Sequence, residues 1–259
     1  MALAPHADPF HSDGTPDGSG RRVGVLLSHG FTGSPASMVP WGKYLAEQGY
    51  AVSVPLLPGH GTTWQDMVAT RFSHYYEALE GEFEALKARC DVVVVGGLSM
   101  GGCLAIWLAA RHPRDVAGLV LVNPAVASTN KQLLALPALK HVVKSMPGIA
   151  NDIKKPGVSE HGYDRTPLRA LHSMIVTWKE VREDLPRVTA PVLLFRSAED
   201  HVVDPSSARI ILGGISSRDA TERVLANSYH VATLDNDART IFEESAGFVH
   251  AVTHAQHPE

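Results

Sequence analysis

The sequence predicts an α/β fold class: a mostly parallel, doubly wound sheet of about six strands, with one insertion. Three observations lead there. Short, continuous apolar runs at Val92 to Val95, Val116 to Val122 and Val192 to Arg196 have the length of strands buried on both faces. Helical spacing between these runs makes the strands parallel and covers the sheet on both sides. The alternation stops between Pro124 and Pro186, which marks the insertion. A chain of 259 residues with 44% hydrophobic and 19% charged residues is long enough for one such domain and its insertion.

In chain order, residues 1–22 are rich in Pro, Gly, Asp, Ser and His and read as a flexible lead-in. Val23 to Leu27 is a strand, and Ala36 to Gln48 a helix closed by Gly49. Ala51 to Pro55 is a strand that runs into the turn-rich Leu57 to Gly61. Ser73 to Arg89 is helical, with Tyr76, Leu79, Phe83 and Leu86 spaced for the core. The valine strand ends in Gly96-Gly97-Leu98-Ser99-Met100-Gly101-Gly102, and an Ala- and Leu-rich helix follows. After Val116 to Val122 comes the insertion, residues 125–186: an apolar, lysine-bearing stretch from Lys131 to Met146, a loop from Pro147 to Arg165, and a helix from Thr166 to Asp184 capped by the Thr and by Pro167. Its stripe of Leu168, Leu171, Ile175, Trp178 and Val181 suits a cap over the carboxyl ends of the strands. Val192 to Arg196 and Thr221 to Leu225 complete the sheet, and Asp237 to His254 is the closing helix. The expected organisation is a core of residues 23–124 and 187–259 and a cap of residues 125–186.

A net charge of -4 gives no basic stripe, which argues against a nucleic-acid partner. The two cysteines, Cys90 and Cys103, read as apolar packing. With no signal peptide and no long apolar span, a cytoplasmic protein is expected. Neither a metal nor a cofactor is called for.

Gly97-Leu98-Ser99-Met100-Gly101 matches G-x-S-x-G, and its place between a buried strand and a helix suits a nucleophile elbow. A serine hydroxyl needs a base, and the base needs a carboxylate to fix its tautomer. In this arrangement the partners follow in the order acid, then histidine. Asp200 lies just beyond the strand ending at Arg196; Asp204 precedes Pro205 and reads as a helix cap, and Glu199 is a weaker alternative. His230 is the one histidine between the acid's loop and the closing helix, among 14 in the chain. Backbone N–H groups of Phe31 and Met100 would form the oxyanion hole, with the Phe31 ring as an apolar wall.

Taken together, His29-Gly30-Phe31-Thr32-Gly33-Ser34-Pro35, Gly97 to Gly102, Glu199-Asp200-His201-Val202-Val203 and Asn227 to Asp235 resemble the bacillus-type monoacylglycerol lipases and carboxylesterases of the α/β-hydrolase superfamily. The likeness runs from Val23 onward and extends to Pro147 to Lys154 and Pro156 to Glu160 in the cap. It implies hydrolysis of a monoacylglycerol to glycerol and a fatty acid through a serine acyl-enzyme. It also implies that Ile149 lines the entrance and that Glu160 binds the glycerol hydroxyls; the plainer readings are cap packing for Ile149 and a solvated loop charge for Glu160. A short-chain carboxylesterase is the alternative within the same chemistry, and a non-catalytic ligand-binding relative the alternative outside it. The lysine-bearing stretch suggests transient contact with a membrane surface.

Overall fold

The computed structural model describes residues 3–254. Its elements in order are β1 (Phe10–Ser12), β2 (Val23–Ser28), α1 (Val39–Glu47), β3 (Ala51–Val54), α2 (Trp64–Met67), α3 (Phe72–Lys87), β4 (Val92–Leu98), α4 (Met100–Arg111) and β5 (Val116–Val122). The insertion carries α5 (Leu136–Leu139), β6 (Ser145–Pro147), β7 (Arg165–Pro167) and α6 (Leu168–Asp184). The chain returns to the sheet with β8 (Val192–Ser197), α7 (Ser206–Gly214), β9 (Ala220–Leu225) and α8 (Ala238–His254).

The main sheet has seven strands in the order β1-β3-β2-β4-β5-β8-β9, all parallel except β1. Successive valines of β4 point to opposite faces: Val93 and Val95 join a core with Tyr75, Leu79 and Phe83 of α3 and Leu104 and Leu108 of α4. Val94 joins a second core with Trp41 and Leu45 of α1 and Ile241 and Val249 of α8. Each such buried valine contributes roughly 1.5–3 kcal/mol relative to exposure. That two-sided burial explains why β4 reads as an unbroken apolar run rather than an alternating one.

Two features depart from the sequence reading. The lead-in at residues 1–22 is not wholly irregular, because Phe10–Ser12 pairs antiparallel with β3 and raises the strand count from six to seven. The expected Thr166 cap is absent: Thr166 pairs with Met146 in a two-stranded ribbon, and α6 begins at Leu168 with no side-chain cap bond. Inter-strand pairing has taken the backbone that local capping chemistry assigned to the helix.

Between β2 and β4 the strand order reverses, since β2 is followed in sequence by β3 on one side and later by β4 on the other. A crevice opens at the carboxyl ends of such a pair, where ligands bind in open α/β sheets. The crevice depends on close backbone approach. A Cβ at Gly101 would lie 2.1 Å from the Ser28 carbonyl oxygen, and one at Gly97 would lie 2.3 Å from the Gly101 carbonyl carbon. Gly101→Ala is therefore expected to destabilise the fold on the order of 3 kcal/mol through overpacking, read as a lower urea midpoint. Gly247→Ala in α8, where an added Cβ meets nothing within 4 Å, is expected to raise the midpoint slightly, by about 0.5–1 kcal/mol.

Candidate active site

Ser99 stands at the turn from β4 into α4 with φ 57 and ψ -116, a positive-φ conformation that costs a non-glycine residue of order 1–3 kcal/mol. Three backbone bonds hold it there: Ser99 N–H donates to the Val122 carbonyl at 2.9 Å, and its own carbonyl accepts from Cys103 N–H at 3.1 Å and from Ala125 N–H at 3.2 Å. The side chain faces a cavity of 590 Å³ that is also lined by Phe31, His230, Asp152 and Glu160.

The structure brings Asp200 and His230 together, with His230 Nδ1 2.9 Å from Asp200 Oδ2 and both side chains buried. The other carboxylate oxygen of Asp200 accepts the N–H groups of Val202 and Val203, each at 2.8 Å. Burial raises the Asp200 carboxyl, but the bond and charge of His230 and these two amides outweigh it, so its pKa lies below the usual value. For His230 burial acts downward, yet the hydrogen bond and charge of Asp200, with the nearby charges of Glu160 and Asp152, raise its pKa above the ordinary histidine value. Asp204 instead accepts Ser206 N–H at 2.8 Å just before α7, where Pro205 rather than Asp204 takes the cap position. Glu199 reaches outward, to Lys154 and His201.

Met100 is the first residue of α4, so its N–H has no carbonyl four residues earlier within the helix. Phe31 follows β2 at the other wall of the same crevice. The Phe31 loop is braced by His29, which is fully buried. His29 Nε2 accepts Leu57 N–H at 3.2 Å, so the ring proton belongs on Nδ1, which donates to the Gly30 carbonyl at 2.9 Å. Burial pulls its pKa down to about 4, against which the Gly30 bond acts weakly. The loop at Phe31 therefore rests on a neutral imidazole that ties it to the turn after β3, at Leu57.

Residues of the insertion line much of the cavity. Leu136, Leu139, Leu171, Met174, Ile175 and Trp178 supply an apolar wall. Ile149 lines the cavity and remains 62% exposed, at its rim. Glu160 also lines it; Oε1 accepts Asn151 N–H at 3.1 Å, and burial raises its carboxyl pKa, with the Asn151 bond and the charge of His230 opposing.

Sequence reasoning missed three polar residues. Asn123, with φ 44, donates through Nδ2 to the His230 carbonyl at 2.8 Å and to Ser197 Oγ at 3.0 Å. Asp235 accepts Lys154 and Lys155 N–H from the insertion and Tyr229 N–H from the loop of His230. Asp152 accepts from both the His201 and the His230 backbone. Each acts across a long sequence separation, so no local spacing marks it; the only signal is a buried polar residue in a loop.

Comparison with known proteins places this geometry among hydrolases. Residues 20–237 match the Hydrolase_4 family, described as serine aminopeptidase, S33. A thermostable monoacylglycerol lipase of Bacillus sp. (strain H-257) is 41% identical over 247 residues, covering 93% of this chain and 94% of the relative. A carboxylesterase of Bacillus subtilis (strain 168) is 25% identical over 228 residues, covering 87% and 91%. Among solved structures, one from a study of LipS and LipT, two metagenome-derived lipolytic enzymes, superposes with a TM-score of 0.91 at 41% identity, covering 96% of this chain and 99% of that one.

The buried neutral His29 has a consequence for acid stability. Its folded pKa of about 4 lies below the unfolded value of 6.5, so between these limits the unfolded chain binds the extra proton, and stability falls as pH falls through that window. The loss attributable to this group is about 3 kcal/mol. Urea unfolding at a series of pH values should give wild type a steeper slope than His29→Gln, by about one proton; equal slopes would show that His29 titrates normally.

Proposed function

This α/β hydrolase belongs to the Hydrolase_4 family, and on that premise we propose that it hydrolyses the ester bond of monoacylglycerols, releasing glycerol and a fatty acid, with Ser99, Asp200 and His230 as its catalytic triad. The observation that carries the reading is the cavity itself, whose lining joins Ser99 to an extended apolar surface and to a half-buried carboxylate, Glu160. A single acyl chain fits the apolar wall, since each buried methylene contributes about 0.8 kcal/mol. A polyol headgroup fits the polar end, where Glu160 can accept its hydroxyl protons.

In this mechanism Ser99 Oγ attacks the ester carbonyl while His230 Nε2 takes its proton. The N–H groups of Phe31 and Met100 bind the oxyanion; one such donor is worth about 3 kcal/mol of barrier. The imidazolium then protonates the departing glycerol oxygen, and the acyl group stays on Ser99. Water, giving its proton to His230, attacks the acyl-enzyme; the imidazolium returns that proton to Ser99 Oγ as the acyl bond breaks, and the fatty acid leaves as its carboxylate. Asp200 keeps the Nδ1–H tautomer through both steps, and the strained Ser99 backbone keeps the hydroxyl clear of β4 and α4. Because the base must be neutral to begin, the raised His230 pKa puts the rising limb of kcat/KM against pH above the ordinary histidine value. Asp200→Asn should move that limb to lower pH and lower kcat about 10⁴-fold.

Residues 125–186 act as the cap, with Ile149 at the entrance and Glu160 as the headgroup contact. On its outer surface Leu134 and Val142, each 82% exposed, stand among Lys131, Lys140 and Lys144. That combination suits transient contact with an anionic lipid surface, from which a single-chain substrate would enter. Among the described residues no helix is long and apolar enough to cross a membrane.

The test is the rate of hydrolysis across mono-, di- and triacylglycerols, short-chain esters and aminoacyl anilides, the last because the family description names an aminopeptidase. The expected result is the highest kcat/KM on a long-chain monoacylglycerol, with Glu160→Ala lowering that preference roughly tenfold or more, on the scale of one lost buried hydrogen bond. Equal rates on all three glycerides, or an unchanged preference in Glu160→Ala, would overturn the headgroup assignment. A best rate on butyrate esters would favour a short-chain carboxylesterase. Failure to sediment with anionic liposomes at low salt would remove the membrane contact.

A further inference from the structure

We infer that Asp152, in the insertion, is a positioning residue for the reaction: its carboxylate clamps the loop that carries Asp200 to the loop that carries His230. The triad is then in register only when the 147–165 loop is seated. The inference rests on the reading of Ser99, Asp200 and His230 as the triad.

Asp200 and His230 follow different strands, β8 and β9, and nothing in the sheet ladder fixes how the loops beyond those strands lie against each other. From the core side they are joined by Asn123, which donates to the His230 carbonyl, and by Ser197 Oγ, which donates to the Tyr229 carbonyl at 2.8 Å. From the cap side the joint is Asp152. Its Oδ2 accepts His230 N–H at 3.1 Å and His201 N–H at 3.2 Å, and Oδ1 lies 2.7 Å from His201 Nδ1. The Asp152 carbonyl adds a fourth bond, from Val231 N–H at 3.1 Å. His230 is thus held at its carbonyl by Asn123 and at its N–H by Asp152. His201, next in sequence to Asp200, is held at both its amide and its ring.

Several details set Asp152 apart from an ordinary surface carboxylate. Its side chain is only 10% exposed, and it lines the substrate cavity. The preceding residue, Asn151, takes a positive φ of 57 and is cross-bonded to Glu160: Asn151 N–H donates to Glu160 Oε1, and Asn151 Oδ1 accepts Glu160 N–H at 2.9 Å. The carboxylate that faces the headgroup site and the one that clamps the triad loops are therefore parts of one small unit of the insertion. The charged and titratable groups around this clamp are Asp200, Glu199 and His201 from the acid's loop, Tyr229 and His230 from the base's loop, and Lys154 and Glu160 from the insertion. A seated 147–165 loop supplies both the binding contact and the alignment of the catalytic base, so closure and competence are linked. A misplacement of about 1 Å in such a constellation costs on the order of 100-fold in rate.

The test uses the full chain, a soluble p-nitrophenyl butyrate substrate, and active sites counted by fluorophosphonate titration. Asp152→Ala removes every side-chain bond of the clamp and is expected to lower kcat per titrated site about 30-fold or more, with KM changed less than about threefold. Asp152→Asn keeps an oxygen for the two N–H groups and is expected to retain kcat within about fivefold. It removes the negative charge beside His230, so the rising limb of its pH profile should move to lower pH. A plain structural brace predicts otherwise: a lower melting temperature, with kcat per titrated site and the pH limb both as in wild type, and that result would overturn the inference. Should Asp152→Ala not fold, the Asp152→Asn limb decides, an unmoved limb counting against. Ser99→Ala separates the two readings. If it is inactive while the Asp152 variants behave as wild type, only the clamp is wrong; if it is active, the triad reading falls and the clamp with it.

Discussion

No Cβ fits at Gly101, because the first turn of α4 passes within contact distance of the Ser28 carbonyl at the end of β2. The site follows from that approach. It sets the head of α4, with Met100 and Ser99, against the end of β2, with Phe31 three residues beyond Ser28. The positive φ of Ser99 is the conformational cost, met by its ladder bond to Val122 and by the dense packing of α4 between β4, α3 and α6. Loosening the approach would shift all three groups together.

The second organising term is electrostatic. Three carboxylates, Asp200, Glu160 and Asp152, surround one buried imidazole, and together they overcome the tendency of burial to keep His230 neutral. Only Asp200 bonds the ring. The other two belong to the insertion, so the segment that lines the cavity also sets part of the field felt by His230. His29 shows the opposite balance: among the described residues it bonds only backbone groups, its pKa falls to about 4, and it serves as a neutral strut under the Phe31 loop. Two buried histidines thus reach opposite protonation tendencies through their partners.

Much of the core was legible because its signals are local. The valines of β4 and the apolar run of β5 mark strands buried on both faces, and Val116–Val122 falls on the residues that the run predicts. The Gly-Ser-Gly spacing marks the turn from β4 into α4, and Asp200, just beyond β8, is the carboxylate that meets His230, whereas Asp204 lies next to Pro205 at the cap of α7. What was not legible is what depends on distant partners. Phe10-His11-Ser12 has no apolar period and becomes a strand only because β3 offers it an edge. Thr166 looks like a cap until Met146 pairs with it. Asn123, Asp152 and Asp235 carry no motif at all; they are recognisable only once the fold shows that each joins two loops far apart in sequence.

The most direct measurement of the central claim is rapid acid quenching of the enzyme during turnover of a long-chain monoacylglycerol, followed by mass spectrometry of the proteolysed protein. Chemistry through Ser99 predicts one fatty-acyl adduct per chain, on the peptide carrying Gly97-Leu98-Ser99-Met100-Gly101, formed together with a burst of glycerol and absent in His230→Ala. Rapid turnover with no acyl adduct in the burst phase, or an adduct on a different residue, would contradict it.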